Sequence, residues 1–237
     1  MFDHWQGWRR LPDAGPESGR PWLDLSQPLF SGMPRVDIFP SPLYEQILKR
    51  PKDPLNVTEI QMACHVGTHV DAPLHFIADG PAMDEIPLEQ FYGPGVVWRI
   101  NPEPFAMLEP EDFQDCEPRL RPGDLLILDA GWWEYFGNER YNQHYYLSKA
   151  AAQWLVDQKV KLVGVDCGTV DLPTAKRQPG FNWPVHHILL SHGVLVAEHL
   201  TNLRSLAGHR IEAMFLPLCI RGADGGPARV VARLAEG

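Results

Sequence analysis

Three histidines and an aspartate fall within eleven residues, in the stretch Cys64-His65-Val66-Gly67-Thr68-His69-Val70-Asp71-Ala72-Pro73-Leu74-His75-Phe76. Gly67, Pro73 and the β-branched Val66, Thr68 and Val70 oppose a helix there. In an extended chain His65, His69, Asp71 and His75 share parity and face one side. At about 3.3 Å of rise per residue, His69 and Asp71 stand roughly 7 Å apart and can hold one ion together. His65 and His69 stand about 13 Å apart on the same measure and converge only if the chain bends. Gly67, between them, permits that bend. Imidazoles with a carboxylate make a mixed nitrogen and oxygen donor set suited to Zn²⁺, Mn²⁺ or Fe²⁺, with positions left open for water. A buried hydrogen-bonded cluster, or an acid/base pair without metal, is the competing reading of the same residues.

Three neighbouring donors call for distant ones. Glu198 ends the apolar run VLVAEHL, and a carboxylate beside a dry core costs several kcal/mol unless it is paired or coordinates a cation. His186 and His187 precede it on a short apolar segment, and adjacent helical residues point about 100° apart, so spacing alone does not choose between them. Asp166 and Asp171 bracket the end of VKLVGVD, where an α/β fold places ligand contacts, with turn capping as their simpler use. Phe30, Phe39, Trp132, Trp133, Phe181 and Trp183 are candidates to line an aromatic or alicyclic substrate pocket, with core packing as the alternative.

These residues need elements to hold them. Alternating or continuous apolar runs predict strands over 22–30, 55–64, 96–100, 124–131, 160–166, 194–200 and 211–220. The strand at 55–64 would lead straight into the histidine cluster. Helices are predicted over 148–158, with Ser148 as the cap, and over 184–192, where Pro184 suits the first turn and Gly193 the termination. Residues 1–21 lack periodicity and read as an N-terminal arm, leaving 22–237 as one α/β domain with a β-rich mixed sheet and few helices. The 23 prolines and 20 glycines imply many turns.

Composition narrows the function classes. With 21 Lys plus Arg against 30 Asp plus Glu, the net charge of −9 leaves no broad basic surface for nucleic acid or anionic lipid. No apolar run approaches the roughly 18 residues that span a bilayer, and the first residues lack the apolar core of a signal peptide. Four scattered cysteines without CxxC spacing read as buried thiols. A cytoplasmic protein acting on a small molecule is therefore expected.

The stretch HVGTHVDAPLHF at 65–76 resembles the HxGTHxDxPxH signature of the metal-dependent cyclase family, which includes bacterial kynurenine formamidases, isatin hydrolases and certain lactamases. Agreement continues through DLSQPLFSGMP at 24–34, MDEIPLEQFYGPGVV at 83–97, PGDLLILDAGW at 122–132, LVGVDCG at 162–168, HHILLSHGVLVAEHLTNL at 186–203 and FLPLCIRGADGGPARVVA at 215–232. The resemblance implies a cyclase-like swivelling β/β/α fold and a divalent metal, Zn or Mn, at one or two ions per chain. It implies that His65, His69 and Asp71 bind a first ion and that His75 is the proton donor and acceptor. A histidine twelve positions before a glutamate selects His186 with Glu198 for a second ion, bridged by Asp71 and Glu198, and leaves His187 without a ligand role.

The implied activity is hydrolysis of a carbon–nitrogen bond, of amide, lactam or aryl-formamide type, in a small cyclic or aromatic substrate. Kynurenine formamidase itself is the runner-up, a cyclase or dehydratase of secondary metabolism a third. A non-catalytic metal-stabilised ligand-binding homologue is the non-enzyme alternative, disfavoured because His75 and every implied ligand are present together. The resemblance also implies a homodimer or homotetramer. One departure stands out: formamidases of the family follow the SGMP-like turn with a Trp-Pro-Gly segment whose Trp contacts the aromatic substrate, and here Arg35-Val36-Asp37-Ile38-Phe39-Pro40 follows instead.

Overall fold

Side chains alternate across a strand, so a run that is apolar at every position must be buried on both faces. The computed structural model describes residues 20–36 and 38–236 and uses the central runs in this way. In chain order the strands are β1 (Leu23–Asp24), β2 (Leu43–Leu48), β3 (Val57–Gln61), β4 (His69–Asp71), β5 (Tyr92–Arg99), β6 (Met107–Leu108), β7 (Leu125–Asp129), β8 (Tyr146–Leu147), β9 (Leu162–Val165), β10 (Leu195–Glu198), β11 (His209–Pro217) and β12 (Gly225–Leu234). Two α-helices, α1 (Lys149–Asp157) and α2 (Pro184–Ser191), occur among the described residues.

Eight strands form one sheet in the order β1-β12-β11-β5-β7-β9-β10-β4, and β4 pairs with β12 as well, which closes the sheet into a barrel-like ring. The β5, β7, β9 and β10 pairings are parallel; β10 with β4, β4 with β12, β12 with β11 and β11 with β5 are antiparallel. Val70, Val97, Leu125, Ile127, Leu162, Leu195, Phe215 and Val230, drawn from every strand of the ring, pack together inside it. The intervening Trp98, Leu126, Leu128, Val163 and Val196 point outward and meet Ala151, Ala152 and Leu155 of α1 and Val185, Leu189 and Leu190 of α2.

Both predicted helices are present within a residue at either end. Ser148 caps α1 by accepting from the Ala151 amide at 2.9 Å, and Gly193 follows α2 with φ of 74°. Two strand readings are corrected. Of 22–30 only Leu23–Asp24 pairs along β12, with a lone bridge at Ser26, because Pro28 has no N–H to offer a ladder. Residues 57–61 pair only with β2, in a separate two-stranded hairpin, so the segment before the histidines does not deliver them to the main sheet. The ten-residue β12 is an addition to the reading; its start, Gly225-Gly226-Pro227, looks like a turn in sequence. The arm at 1–21 lies outside the described residues except for Arg20 and Pro21. All four cysteines are free, but only Cys167 is a buried thiol; Cys64 and Cys116 are half-buried and Cys219 is exposed. No helix among the described residues is long and apolar enough to cross a membrane.

Candidate metal centre and its cavity

Extended geometry holds only over β4, where His69 and Asp71 flank the inward-facing Val70 and share one side. Before the strand the chain turns at Gly67, with φ of 68°, and this bend brings His65 Nδ1 to 2.8 Å from Asp71 Oδ1. After it, a 3₁₀ turn over Pro73–His75 folds His75 back so that its ring stacks on His65 at 3.7 Å between centroids. Antiparallel pairing sets Glu198 of β10 opposite His69, with Oε2 3.6 Å from His69 Nε2. Helix α2 supplies His186, whose Nε2 lies 3.2 Å from Glu198 Oε1 and 3.4 Å from Asp71 Oδ2. The six residues read as metal ligands and proton carrier thus come together from four elements and the turn before β4, with His187 exposed and its ring against Phe76 at 5.3 Å.

The imidazoles are oriented from behind. Gly67 O accepts from His69 Nδ1 at 2.7 Å, and Asp171 Oδ2 accepts from His186 Nδ1 at 2.6 Å, so both histidines turn Nε2 toward Asp71 and Glu198. An outer acceptor on one ring nitrogen, with the other left to face an ion among the carboxylates, is the habit of metal-ligating histidine. Asp171 also accepts from the Val185 and His186 amides at 3.1 and 3.0 Å, capping α2, so it serves both uses weighed from sequence. Asp166 serves only the structural one. It accepts from the Ala130 and Trp132 amides and from Tyr145 Oη, away from the cluster, and burial beside Asp129 pushes it up to about 7.

The cluster attracts positive charge. Burial opposes a charged His65, but contacts with Asp224 and Asp71 outweigh it and push the imidazole up to about 10. His186 is likewise raised well above its usual range by Asp171, Asp71 and Glu198 against the pull of burial. Asp71, fully buried, is nonetheless held well below the carboxylate range by the surrounding imidazoles of His186, His65 and His69. Its Oδ2 has no hydrogen-bond partner, a costly state for a buried carboxylate oxygen unless a cation satisfies it. His65, His69 and Asp71 form one set of mutually close donor atoms and Asp71, His186 and Glu198 a second, with Asp71 common to both. The donor chemistry fits a divalent metal. His75 differs from its neighbours: burial above all pushes it down to about 4, so it is an uncharged ring near neutrality.

A cavity of about 240 Å³ opens over the cluster, walled by Val36, Ile38, Phe39, Phe76 and Trp183. Of the predicted aromatic contacts, Phe39 and Trp183 are on this wall. Phe30 is exposed elsewhere, Trp132 is buried in the outer core with its indole N–H donated to Tyr141 O, and Phe181 sits behind Trp183 at 5.5 Å rather than on the wall. Sequence reading overlooked Phe76, which packs on His186 at 4.7 Å, and His199, which lies with His69 and Glu198. It overlooked Asp224 too, whose Oδ2 is 3.0 Å from His65 Nε2 and 3.4 Å from His75 Nδ1. The signal for Asp224 was the glycine pair after it: β12 crosses β4 so closely that a Cβ on Gly225 would stand 2.6 Å from His65 Cε1.

A family model described as putative cyclase matches residues 23–172. The kynurenine formamidase of Bordetella petrii is 32% identical over 222 residues, covering 89% of this chain and 96% of the relative. That of Bacillus cereus is 29% identical over 218 residues, covering 90% and 97%. Among solved structures, isatin hydrolase A from Ralstonia solanacearum superposes with a TM-score of 0.81 at 23% identity, covering 92% of this chain and 93% of that one. A predicted metal-dependent hydrolase from Bacillus stearothermophilus gives a TM-score of 0.73 at 26% identity, covering 90% and 98%.

Proposed function

Because the chain belongs to the putative cyclase family, we propose that it is a metal-dependent hydrolase cleaving the carbon–nitrogen bond of an amide, lactam or aryl-formamide in a small cyclic or aromatic substrate. The observation that carries it is the buried, unsatisfied Asp71 Oδ2 ringed by inward-turned histidines at the floor of an aromatic cavity. His65, His69 and Asp71 would hold one ion, and Asp71, His186 and Glu198 a second, with Zn²⁺ or Mn²⁺ matching the donors. A divalent cation there supplies Lewis-acid polarisation of a carbonyl and acidifies water.

The chain's own groups do the rest. Phe39, Phe76 and Trp183 grip the apolar ring and keep bulk water from the reacting carbonyl. Uncharged His75 accepts the proton of the attacking water and returns it to the departing nitrogen, a general acid/base contribution of roughly 10²- to 10⁴-fold. Asp224, 3.4 Å from His75 Nδ1, holds that ring over the cavity floor. Gly67 O and Asp171 keep the His69 and His186 rings aimed.

The test is metal content per chain, by mass spectrometry on protein purified without chelator or nickel resin, in wild type and His186→Ala, alongside hydrolysis of aryl amides. About two ions falling to about one supports the two-ion arrangement; no ion after reconstitution with Zn²⁺ or Mn²⁺ overturns the function. N-formylkynurenine hydrolysis is the second reading, favoured by the relatives named kynurenine formamidase, and a direct assay decides it. We further propose a cytoplasmic homodimer or homotetramer. The isolated β2–β3 hairpin exposes Leu43, Ile47 and Ile60, and a two-stranded hairpin is marginal in water unless something packs on it. Light scattering on the purified chain gives the subunit number, and a monomer at micromolar concentration would reject the assembly.

A further inference from the structure

The cavity over the metal cluster continues into a second lobe of about 260 Å³ that shares Val36, Gly168, Thr169 and Arg177 with the first. The two lobes differ in chemistry. Where the first has aromatic walls, the second is lined by Arg35 and Arg177 together with Tyr141, Asn142, His144 and His199, and by no carboxylate among the described residues. Arg177 spends only its Nε on the protein, donating to Leu172 O at 2.7 Å, and Arg35 likewise donates Nε to Phe39 O at 2.9 Å. Neither has a protein acceptor for its terminal nitrogens among the described residues. The Arg177 guanidinium lies 5.1 Å from the ring centres of both Phe181 and Trp183, so it is fixed at the seam between lobes. Arg35 enters from the segment that stands where the formamidase pattern has Trp-Pro-Gly.

We propose that the substrate carries a carboxylate beyond its aromatic ring, received by Arg177 with Arg35 in the polar lobe while the scissile carbonyl rests on the cluster. This rests on the hydrolase reading for the carbonyl and on the lobe alone for the acid. A planar guanidinium with its terminal N–H groups free presents the fork that a carboxylate matches, and a half-buried cation without an acceptor gains most from an anionic partner. Arg177 is the specificity-determining residue of this arrangement; burial pulls its guanidinium below the usual range, against Asp171 and Glu198, which favour the charge without bonding to it.

The experiment is calorimetric binding of phenylacetate, 3-phenylpropanoate and 4-phenylbutanoate, each against its own carboxamide, to the full chain with metal and after chelation. Wild type, Arg177→Gln, Arg177→Lys and Arg35→Gln are compared. At least one acid should bind wild type more tightly than its carboxamide in both metal states. Arg177→Gln should weaken that acid by roughly 10- to 100-fold, as loss of charged hydrogen bonds does, and leave the carboxamide unchanged. Arg177→Lys should recover part of the loss. Equal binding of acid and carboxamide by wild type overturns the proposal. So does an Arg177→Gln loss that is the same for both ligands, which would mean that Arg177 merely steadies Trp183; Arg35→Gln repeats the measurement on a side chain outside that stack. Acid preference without any amide turnover would sink the hydrolase reading and keep the subsite; turnover without acid preference would do the reverse.

Discussion

Gly225→Ala tests whether the closing of the sheet shapes the metal centre. Gly225 lies opposite Asp71 in the β12–β4 ladder, and a Cβ there would stand 2.6 Å from His65 Cε1, 3.2 Å from His65 Nδ1 and 3.0 Å from Val70 O. Carbon atoms settle at about 3.5–4.0 Å, so the His65 ring must retreat by roughly 1 Å. It has nowhere to go without loss: His75 stacks on it at 3.7 Å and Asp71 holds its Nδ1 at 2.8 Å. Overpacking of this kind costs about 1–3 kcal/mol, which for a chain of this size lowers Tm by roughly 2–12 °C. Displacing His65 should weaken metal binding by at least the roughly 10- to 100-fold that loss of a supporting contact causes. Gly226→Ala is the control, because its Cβ meets Leu218 O at 2.9 Å and Pro217 Cβ at 3.0 Å, remote from the imidazoles. Calorimetric melting and competitive metal titration on both variants decide the matter. If Gly225→Ala binds metal like wild type while both variants melt early, Gly225 is a packing glycine with no bearing on the centre.

Asp171→Ala removes the acceptors of both the His186 ring and the first turn of α2; metal affinity should fall roughly 10- to 100-fold and stability by about 0.5–2 kcal/mol, read by metal titration and denaturant unfolding. His75→Ala should keep its metal and lose about 10²- to 10⁴-fold in kcat, and an unchanged kcat removes His75 from the chemistry. Buried His144 is pushed down to about 4 by desolvation, so below about pH 6.5 the unfolded chain takes up a proton that the folded chain refuses. Its contribution is fully present above pH 6.5 and is lost as pH falls toward 4, about 3 kcal/mol in all; His144→Gln should flatten that part of the stability profile, measured by urea unfolding at pH 7 and 4.5.

The sequence showed those parts of the fold whose signals are local. Ser148 before a run of strong helix formers, and Pro184 ahead of Gly193, fix α1 and α2 because capping is decided within a few residues. Continuous apolar runs such as Leu125–Leu128 declare themselves because both faces are buried. Parity correctly placed His69 and Asp71 on one side, yet only three residues of that stretch are extended, and His65 and His75 reach the cluster through turns. Trp132 and Trp183 look alike in sequence, each large and beside turn residues; one is sealed in the outer core and the other walls the cavity, a difference set by tertiary packing. Asp224 was missed as a site residue because its one signal, the Gly225-Gly226 pair after it, looks like a turn in sequence and gains its meaning only where β12 crosses β4 beside His65, 159 residues away from Asp224.

That long separation has a structural reason. β4 is only three residues long, yet it is the strand on which the ring closes, hydrogen-bonded to β10 on one side and β12 on the other. Its partners deliver Glu198 from one edge and the Asp224-Gly225 approach from the other, so the donors cannot assemble unless the ring is closed. Conversely, an unsatisfied Asp71 Oδ2 sits at the closing point, and whatever satisfies it strengthens the seam. A cation bound there acts on the folded chain alone, and by linkage it stabilises the closed sheet as well as completing the site. The short strand, the glycine at its flank and the buried carboxylate at its end are thus one device: the residues that would do chemistry are also those that lock the sheet.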